Sequence, residues 1–287
     1  MENAKILYFP TYRRIEEDLS NLKIEIDDDE IDNIKNKADN LIQFGMDDVK
    51  NRIYALKTEM DKLASVGLTK ISSEILSQLV KGIPDIDPEL VNKINIDNIK
   101  ILLARVGNAM SDENKKTILK MLGNKRLNEN EKYLLYFVQK LVEIYEKQKI
   151  IDDKIKAYVQ ICNRYLESSL KEISYNENEV QLYISVPNAS KSYLLTDFLN
   201  KMSSGEKQIL SLFSKIYLSD DENFIILFDE PELSLSIFWQ ENLLSDILMS
   251  KRIDNMLTVT HSPFIYKNEL QKYASGIGEF LNYGDKK

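Results

Sequence analysis

Two adjacent carboxylates follow an apolar run near the C-terminal end of the chain, where residues 224–235 read FIILFDEPELSL. An apolar run of this length is typical of a fully buried strand, and burying charge beside it is costly. One interpretation is that Asp229 and Glu230 lie in a solvated turn broken by Pro231. The other is that Asp229 holds Mg²⁺ through water, while Glu230 orients and deprotonates a water that attacks a phosphate.

A predicted helix start precedes these carboxylates at SSGEKQ, residues 203–208. The free N–H groups and the positive dipole end of such a helix suit a phosphate, so Ser203, Ser204, Gly205 and Glu206 are candidate phosphate-binding residues. The alternative is an ordinary N-cap with a glutamate in the first helical turn.

The only histidine of the chain, His261, ends the apolar strand MLTVT in the sequence VTHSPF. Histidine in this position has a structural role in many proteins.

The elements that would position these residues alternate between strand and helix. From residue 177 on, EVQLYISV, FIILF and MLTVT have strand character, whereas SSGEKQILSLFSKIYL and SLSIFWQENLLSDILMS have helix character. This rhythm predicts an α/β fold with a parallel sheet. KILYF, residues 5–9, is a further short strand, stopped by Pro10.

The middle of the chain is predicted to be helical. Apolar spacing predicts one helix bounded by Gly45 and Gly67 and a second that ends at Gly82. A longer helical run extends from 128 to 173, either as one rod or with a break at 147–151, and suggests an antiparallel arm or bundle. The predicted organisation is therefore an N-terminal strand segment (1–27), a helical insertion (28–177) and a C-terminal α/β lobe (178–287).

Composition limits the classes of function. The net charge of −8 does not favour nucleic acid globally, so a DNA contact would depend on a local patch such as residues 115–126, which is otherwise a solvated helix face. The single cysteine, Cys162, excludes an intrachain disulfide and a cysteine-based zinc site.

The sequence shows no signal peptide and no apolar stretch near the ~20 residues of a membrane span. We therefore expect a cytoplasmic protein with no membrane contact.

Together, these motifs resemble the second half of an ABC-type ATPase head, which contains a signature loop, a Walker B strand, a D-loop and a switch histidine. The resemblance implies ATP and Mg²⁺, with Asp229 as the magnesium residue, Glu230 as the catalytic base and His261 as a sensor of the γ-phosphate. It also implies that residues 233–236 form the D-loop.

The same resemblance implies a head-to-tail dimer. The signature positions, Ser203 and Gly205, would reach the γ-phosphate bound to a partner subunit. The fold class implied is a partial ABC-type P-loop ATPase head with a large α-helical insertion.

Four stretches of the sequence resemble a more specific group of ATPases: ILYFPTYRRIEEDL, SSGEKQILSLF, DEPELSLSIFWQ and THSPFI. They are similar to the AAA-family ATPases of bacterial anti-phage systems, namely the OLD-like and Septu-type ATPases, including those associated with retrons. The similarity covers about residues 5–20 and 190–272, and the helical middle matches in character only. It implies a defence ATPase that acts with a partner nuclease.

The sequence departs from this pattern because it contains no G-x-x-x-x-G-K-[ST] motif. In ABC-type heads this Walker A loop and the Q-loop precede the strand that corresponds to KILYF. The chain is thus expected to correspond to the C-terminal part of such an ATPase, as a truncated or split gene, a product of a late start codon, or a subunit that needs a complementing fragment. The 26 residues after His261 are too few for the Toprim nuclease domain of the fused OLD-type enzymes.

Three functions are compatible with these features. The leading hypothesis is an ATP-hydrolysing defence ATPase that is inactive without a Walker A-bearing complement. The second is a non-catalytic remnant that serves as a scaffold or regulatory module. The third is a fragment of a Rad50- or SMC-like DNA-repair or chromosome-structure ATPase, although such proteins should have far longer arms.

Overall fold

The computed structural model describes residues 4–9, 46–82, 95–106, 110–123, 132–187, 191–221 and 223–279. The chain divides into two compact units. The sheet unit comprises Met1–Val49, Arg164–Leu166 and Leu199–Lys287, and the helical unit comprises Lys50–Asn163 and Glu167–Phe198. The predicted helix boundary Gly45 lies outside the described residues.

A parallel sheet forms the centre of the sheet unit. Strands β1 (Lys5–Phe9), β5 (Phe224–Asp229) and β6 (Ile253–Val259) are ordered β1-β5-β6. β5 is the central strand of the three and pairs in parallel with both neighbours. The predictions of a strand at KILYF and of a parallel α/β sheet are confirmed.

The two faces of this sheet differ in exposure. On one face Leu7, Phe9 and Phe228 are buried, and the two phenylalanine rings lie 5.2 Å apart. On the other face, side chains of both outer strands are exposed: Ile6, Tyr8, Leu257 and Val259. The prediction that FIILF is fully buried is therefore wrong, because only alternate residues of β5 are buried and those between them are partly accessible.

Two helices follow the pattern expected from the sequence. Helix α6 (Ser204–Tyr217) precedes β5, and helix α7 (Ile237–Met249) connects β5 to β6. Most residues of α6 are buried, as in a helix packed on several sides. In α7, Trp239 and Leu243 are buried, whereas Ile237 and Phe238 at its start are exposed.

Four helices form the core of the helical unit: α1 (Met46–Lys81), α2 (Ile96–Arg105), α3 (Asp112–Gly123) and α4 (Lys132–Leu166). Each contributes to one cluster of buried side chains, which includes Ile71, Ile99, Leu122 and Leu141. The prediction of a helical middle is confirmed for the described residues.

The prediction that a helix ends at Gly67 is wrong, because Gly67 lies within α1. A Cβ atom on Gly67 would lie only 2.4 Å from Cδ1 of Ile144 in α4. The glycine therefore allows two helices to approach closely. The predicted end at Gly82 is confirmed, because α1 ends at Lys81 and Gly82 has a φ of +92°, in the region that favours glycine.

Helix α4 is one continuous rod without a break at residues 147–151. Two polar side chains in and beside this stretch are buried and hydrogen-bonded: Gln148 donates to the carbonyl of Met60, and Asp152 accepts two hydrogen bonds from Arg105. The predicted extension of the helix to Ile173 is wrong, because α4 ends at Leu166 and Ile173 lies in a strand.

A second, antiparallel sheet follows α4 within the helical unit. It contains β2 (Glu172–Asn176), β3 (Gln181–Ser185) and β4 (Tyr193–Leu194), in that order, and a short helix α5 (Leu195–Phe198) follows. EVQLYISV thus forms a strand as predicted but does not join the parallel sheet. In this division residues 178–198 group with the helices, whereas the sequence-based division assigns them to the C-terminal lobe.

Candidate functional site

The candidate site lies at the carboxyl edge of the parallel sheet. Asp229 is the last residue of β5, and the N–H of Glu230 donates to the carbonyl of Val259, the last residue of β6, at 2.8 Å. Because β5 and β6 are parallel, the residues that follow them emerge at the same edge. This is the edge at which open parallel sheets generally bind ligands.

Glu230 has a backbone conformation that is rare for a residue with a side chain. Its φ of +45° lies in the left-handed region. Such conformations cost about 1–3 kcal/mol and occur often at functional sites. Glu230 is therefore held in a defined orientation directly after the strand.

His261 lies next to Glu230. Its Nε2 atom is 3.9 Å from Oε1 of Glu230, which is beyond direct hydrogen-bond range but close enough for both groups to contact one small ligand or water. The His261 side chain is 88% exposed and that of Glu230 is 32% exposed, so both groups are accessible. The structure thus brings together two residues that are 31 positions apart in the chain.

The N-terminus of α6 has a complete capping box. The hydroxyl of Ser203 accepts from the N–H of Glu206 at 3.3 Å, and the carboxylate of Glu206 accepts from the N–H of Ser203 at 2.9 Å. Ser203 and Ser204 are exposed, whereas Gly205 and Glu206 are buried. The ordinary capping role is thus present, and of the four candidates only the two serines are open to a ligand in this chain.

The same helix terminus packs on the turn that follows β5. A Cβ atom on Gly205 would lie 2.4 Å from the carbonyl oxygen of Ser234 and 3.2 Å from the Trp239 ring. The side-chain amide of Gln208 donates to the carbonyl of Pro231 at 3.1 Å. The helix start, SSGE, and the acidic turn, DEPELSL, are therefore in direct contact.

Sequence reasoning missed three polar residues that organise this region: Gln208, Glu232 and Gln240. Glu232 is 9% exposed and accepts hydrogen bonds from the segment that contains His261. Its position two residues after Glu230 was visible in the sequence, but charge alone did not distinguish a buried carboxylate from a solvated one.

The set of donors at the site limits how a metal ion would be held. In the described part of the chain, no group of three or more His, Cys, Asp or Glu side chains is arranged to hold a metal ion. Mg²⁺ commonly uses one or two carboxylates and completes its shell with water and phosphate oxygens. Asp229 at the strand end is compatible with that kind of site.

The other predicted binding feature, the basic stretch 115–126, falls on α3 and beyond. Lys116 and Lys120 are exposed, and Lys115 pairs with Asp112 at 3.5 Å. Arg126 lies outside the described residues. No helix among those described is long and apolar enough to cross a bilayer.

No family model matches the sequence, and no curated protein matches it. Among solved structures, the Smc head bound to the C-terminal winged-helix domain of ScpA is 12% identical, with a TM-score of 0.31. That match covers 45% of this chain and 39% of the solved chain.

Two further solved structures are Smc head domains from archaea. The head with an extended coiled coil bound to the C-terminal domain of ScpA, from Pyrococcus furiosus, is 12% identical with a TM-score of 0.33, covering 76% of this chain and 54% of the other. The head with a coiled coil and joint from Pyrococcus yayanosii is 13% identical with a TM-score of 0.29, covering 88% and 58%. This chain thus spans about 40 to 60% of the length of these heads. Since every TM-score is below 0.5, the function proposed below rests on the geometry of the site.

Proposed function

We propose that this chain provides the acid-and-histidine part of an ATP-hydrolysing site of the ABC type. The observation that carries the proposal is the placement of Glu230 and His261 after neighbouring parallel strands, with 3.9 Å between the carboxylate and the imidazole. A carboxylate and an imidazole at this separation suit one water molecule and the phosphate that it attacks.

Each residue has a distinct role in this proposal. Asp229 would hold Mg²⁺, and the ion would supply neutralisation of charge on the phosphates of ATP. Glu230 accepts a proton from the attacking water, and His261 donates a hydrogen bond to a γ-phosphate oxygen. The left-handed backbone of Glu230 sets the direction in which its side chain leaves the end of β5.

The β- and γ-phosphates need a phosphate-binding loop that this sequence does not contain. We therefore propose that another polypeptide segment supplies this loop, and that the 287-residue chain alone binds ATP weakly or not at all. Calorimetry with Mg²⁺–ATP tests this, and micromolar affinity of the purified chain would contradict it.

The signature residues complete the site of a second subunit in this proposal. Ser203 and Ser204 are exposed at the start of α6, a helix of 14 residues whose N–H groups favour an anion. Gly205 acts indirectly, because its missing side chain allows the turn at Ser234 to approach. The resulting assembly is a head-to-tail dimer with two ATP molecules.

The biological role that we propose is anti-phage defence together with a partner nuclease, in the cytoplasm of a bacterium. The support for it is the similarity of SSGEKQILSLF, DEPELSLSIFWQ and THSPFI to the OLD-like and Septu-type ATPases. Plaque counts on bacteria that carry the complete locus test this role. Glu230→Gln should abolish protection, whereas equal protection by the variant would contradict an ATPase-dependent defence.

The biochemical test of the site is the turnover of ATP by Glu230→Gln. The tagged chain is purified from the cells that encode it, together with the segments that it binds there. The variant should retain bound ATP while its turnover falls by about 10²- to 10⁴-fold, the usual effect of removing a positioned base. Glu241→Gln is the matched control, since Glu241 is exposed on α7. Equal turnover by wild type and Glu230→Gln would refute the role of Glu230.

A further inference from the structure

Glu232 is a buried carboxylate that, among the described residues, accepts its side-chain hydrogen bonds from one neighbouring segment, residues 260–262. Its Oε2 atom accepts from the hydroxyl of Thr260 at 2.7 Å. Its Oε1 atom accepts from the N–H of His261 at 2.8 Å and from the N–H of Ser262 at 3.1 Å. Both carboxylate oxygens are thus used to hold the segment that contains the histidine.

Gln240 supports the same arrangement from the first turns of α7. Its side-chain oxygen accepts from the hydroxyl of Ser262 at 2.6 Å, and its side-chain nitrogen donates to the carbonyl of Leu235 at 2.9 Å. The turn after β5 and the segment after β6 are therefore joined by Glu232 and by Gln240.

The position of the His261 side chain depends on these backbone contacts. Because the imidazole is 88% exposed, packing contributes little to its placement, and the backbone that carries it must be fixed by other means. The contact from Glu232 to the His261 N–H is charge-assisted, and such bonds are about twice as strong as neutral ones.

We propose that Glu232 is the positioning residue for His261, which it holds beside Glu230 by binding the backbone of residues 260–262. The consequence for catalysis rests on the proposed function, whereas the positioning itself can be measured without ATP. Since Glu232 also lies in the turn after Glu230, a movement of that turn on assembly would move His261 with it.

Selective isotope labelling makes the test direct, because the chain has one histidine and one tryptophan. Growth with ¹⁵N-histidine and ¹⁵N-tryptophan gives one backbone amide signal each, for His261 and Trp239. The Trp239 N–H donates to the hydroxyl of Ser236 at 3.3 Å, so its signal is an internal control for the other end of the turn. Amide hydrogen exchange of the intact chain is then compared in wild type, Glu232→Ala, Glu232→Gln and the control Glu241→Gln.

In Glu232→Ala, exchange at His261 should be faster by about ten- to a hundredfold, the effect of losing a hydrogen bond to a charged group. In Glu232→Gln, which keeps a neutral acceptor, the increase should be smaller and the His261 amide proton should move upfield. Trp239 exchange should stay within about threefold of wild type, and Glu241→Gln should match wild type at both positions. A general loss of stability would instead accelerate both amides equally.

Unchanged exchange and an unchanged chemical shift of His261 in Glu232→Gln would overturn the proposal, and so would equal acceleration of His261 and Trp239. If Glu232→Ala does not fold, Glu232→Gln alone decides the outcome. A failure of ATP hydrolysis in the wild type would remove the proposed function and leave this result intact, so the two failures are distinguishable.

Discussion

Replacing Gly205 by alanine tests the contact between the helix start and the acidic turn. The new Cβ atom would lie 2.4 Å from the backbone oxygen of Ser234, closer than Cβ atoms approach in real structures. Ser234 itself has a φ of +65°, so the turn has little freedom to move away. The Trp239 ring, 3.2 Å from the same Cβ position, blocks the other direction.

Two opposing effects set the expected magnitude. Forcing an extra methyl group into a packed site costs typically about 1–3 kcal/mol, and more when backbone must shift. Alanine in a helix is favoured over glycine by about 1 kcal/mol. The free energy of unfolding should therefore fall by about 1 kcal/mol in Gly205→Ala, although helix propensity alone would raise it.

Trp239 fluorescence during urea unfolding measures this change within the sheet unit, because Trp239 is the only tryptophan of the chain. Gly278→Ala is the matched control, since no atom of the described residues other than its own and those of its chain neighbours lies within 4 Å of its Cβ position. We expect the control to stay within about 0.5 kcal/mol of wild type, as exposed substitutions usually do. A Gly205→Ala variant that is more stable than wild type would show that Ser234 does not make this close approach.

Three further predictions follow from other parts of the chain. Burial raises the pKa of the Cys162 thiol above the value of about 8.5 that it has in the unfolded chain. The contribution of the buried, neutral thiol to the free energy of unfolding is therefore fully present below about pH 8.5 and is lost as the pH rises toward the pKa in the folded chain. A disulfide reagent at pH 8 should react at least about 100-fold faster after unfolding, and rapid reaction of the native chain would contradict burial. Arg105→Met should cost about 3–5 kcal/mol in thermal unfolding because it leaves the Asp152 carboxylate buried without its cation, whereas Lys100→Met, on an exposed face of the same helix, should cost little. Ser203→Arg should abolish ATP-dependent association in sedimentation of the complex purified from the cells that encode it, and it should also lose about 1 kcal/mol of helix capping. Glu241→Gln, at an exposed position on α7, should associate like wild type, and an unchanged ATP-dependent dimer in Ser203→Arg would remove the proposed role of the signature loop.

Local signals predicted the elements around the site well. The cap at Ser203, the strand that ends at Asp229 and the strand before His261 each depend on neighbouring residues, so pattern and propensity are sufficient to find them. The proximity of Glu230 and His261 was implied only through a family resemblance, because it depends on the order of strands in the sheet.

Features that depend on distant contacts could not be predicted. The sequence predicts a helix end at Gly67 because it does not show that Ile144 packs against this glycine. The continuity of α4 through residues 147–151 depends in part on buried contacts of Gln148 and Asp152 with residues elsewhere in the chain, and the sequence does not show these contacts. The role of Glu232 depends on the placement of β6 beside β5, which brings residues 260–262 to its carboxylate.

The exposed face of the parallel sheet was also unexpected from the sequence. The apolar run of β5 suggested cover on both sides, yet among the described residues Ile6, Leu257 and Val259 of the outer strands are more than half exposed. An apolar run reports only that a strand is hydrophobic, because it does not show which of its faces is covered.

A double-mutant cycle on ATP turnover tests most directly whether Glu230 and His261 act as one site. ATP turnover is compared among wild type, Glu230→Gln, His261→Ala and the double variant, each in the complex purified from the cells that encode this chain. Each single variant should lose about 10²-fold or more in ATP turnover. Because substitutions of groups that serve the same step have strongly non-additive effects, turnover by the double variant should lie within about threefold of turnover by the slower single variant. Losses that multiply in the double variant, or single variants that turn over ATP at the wild-type rate, would contradict the account.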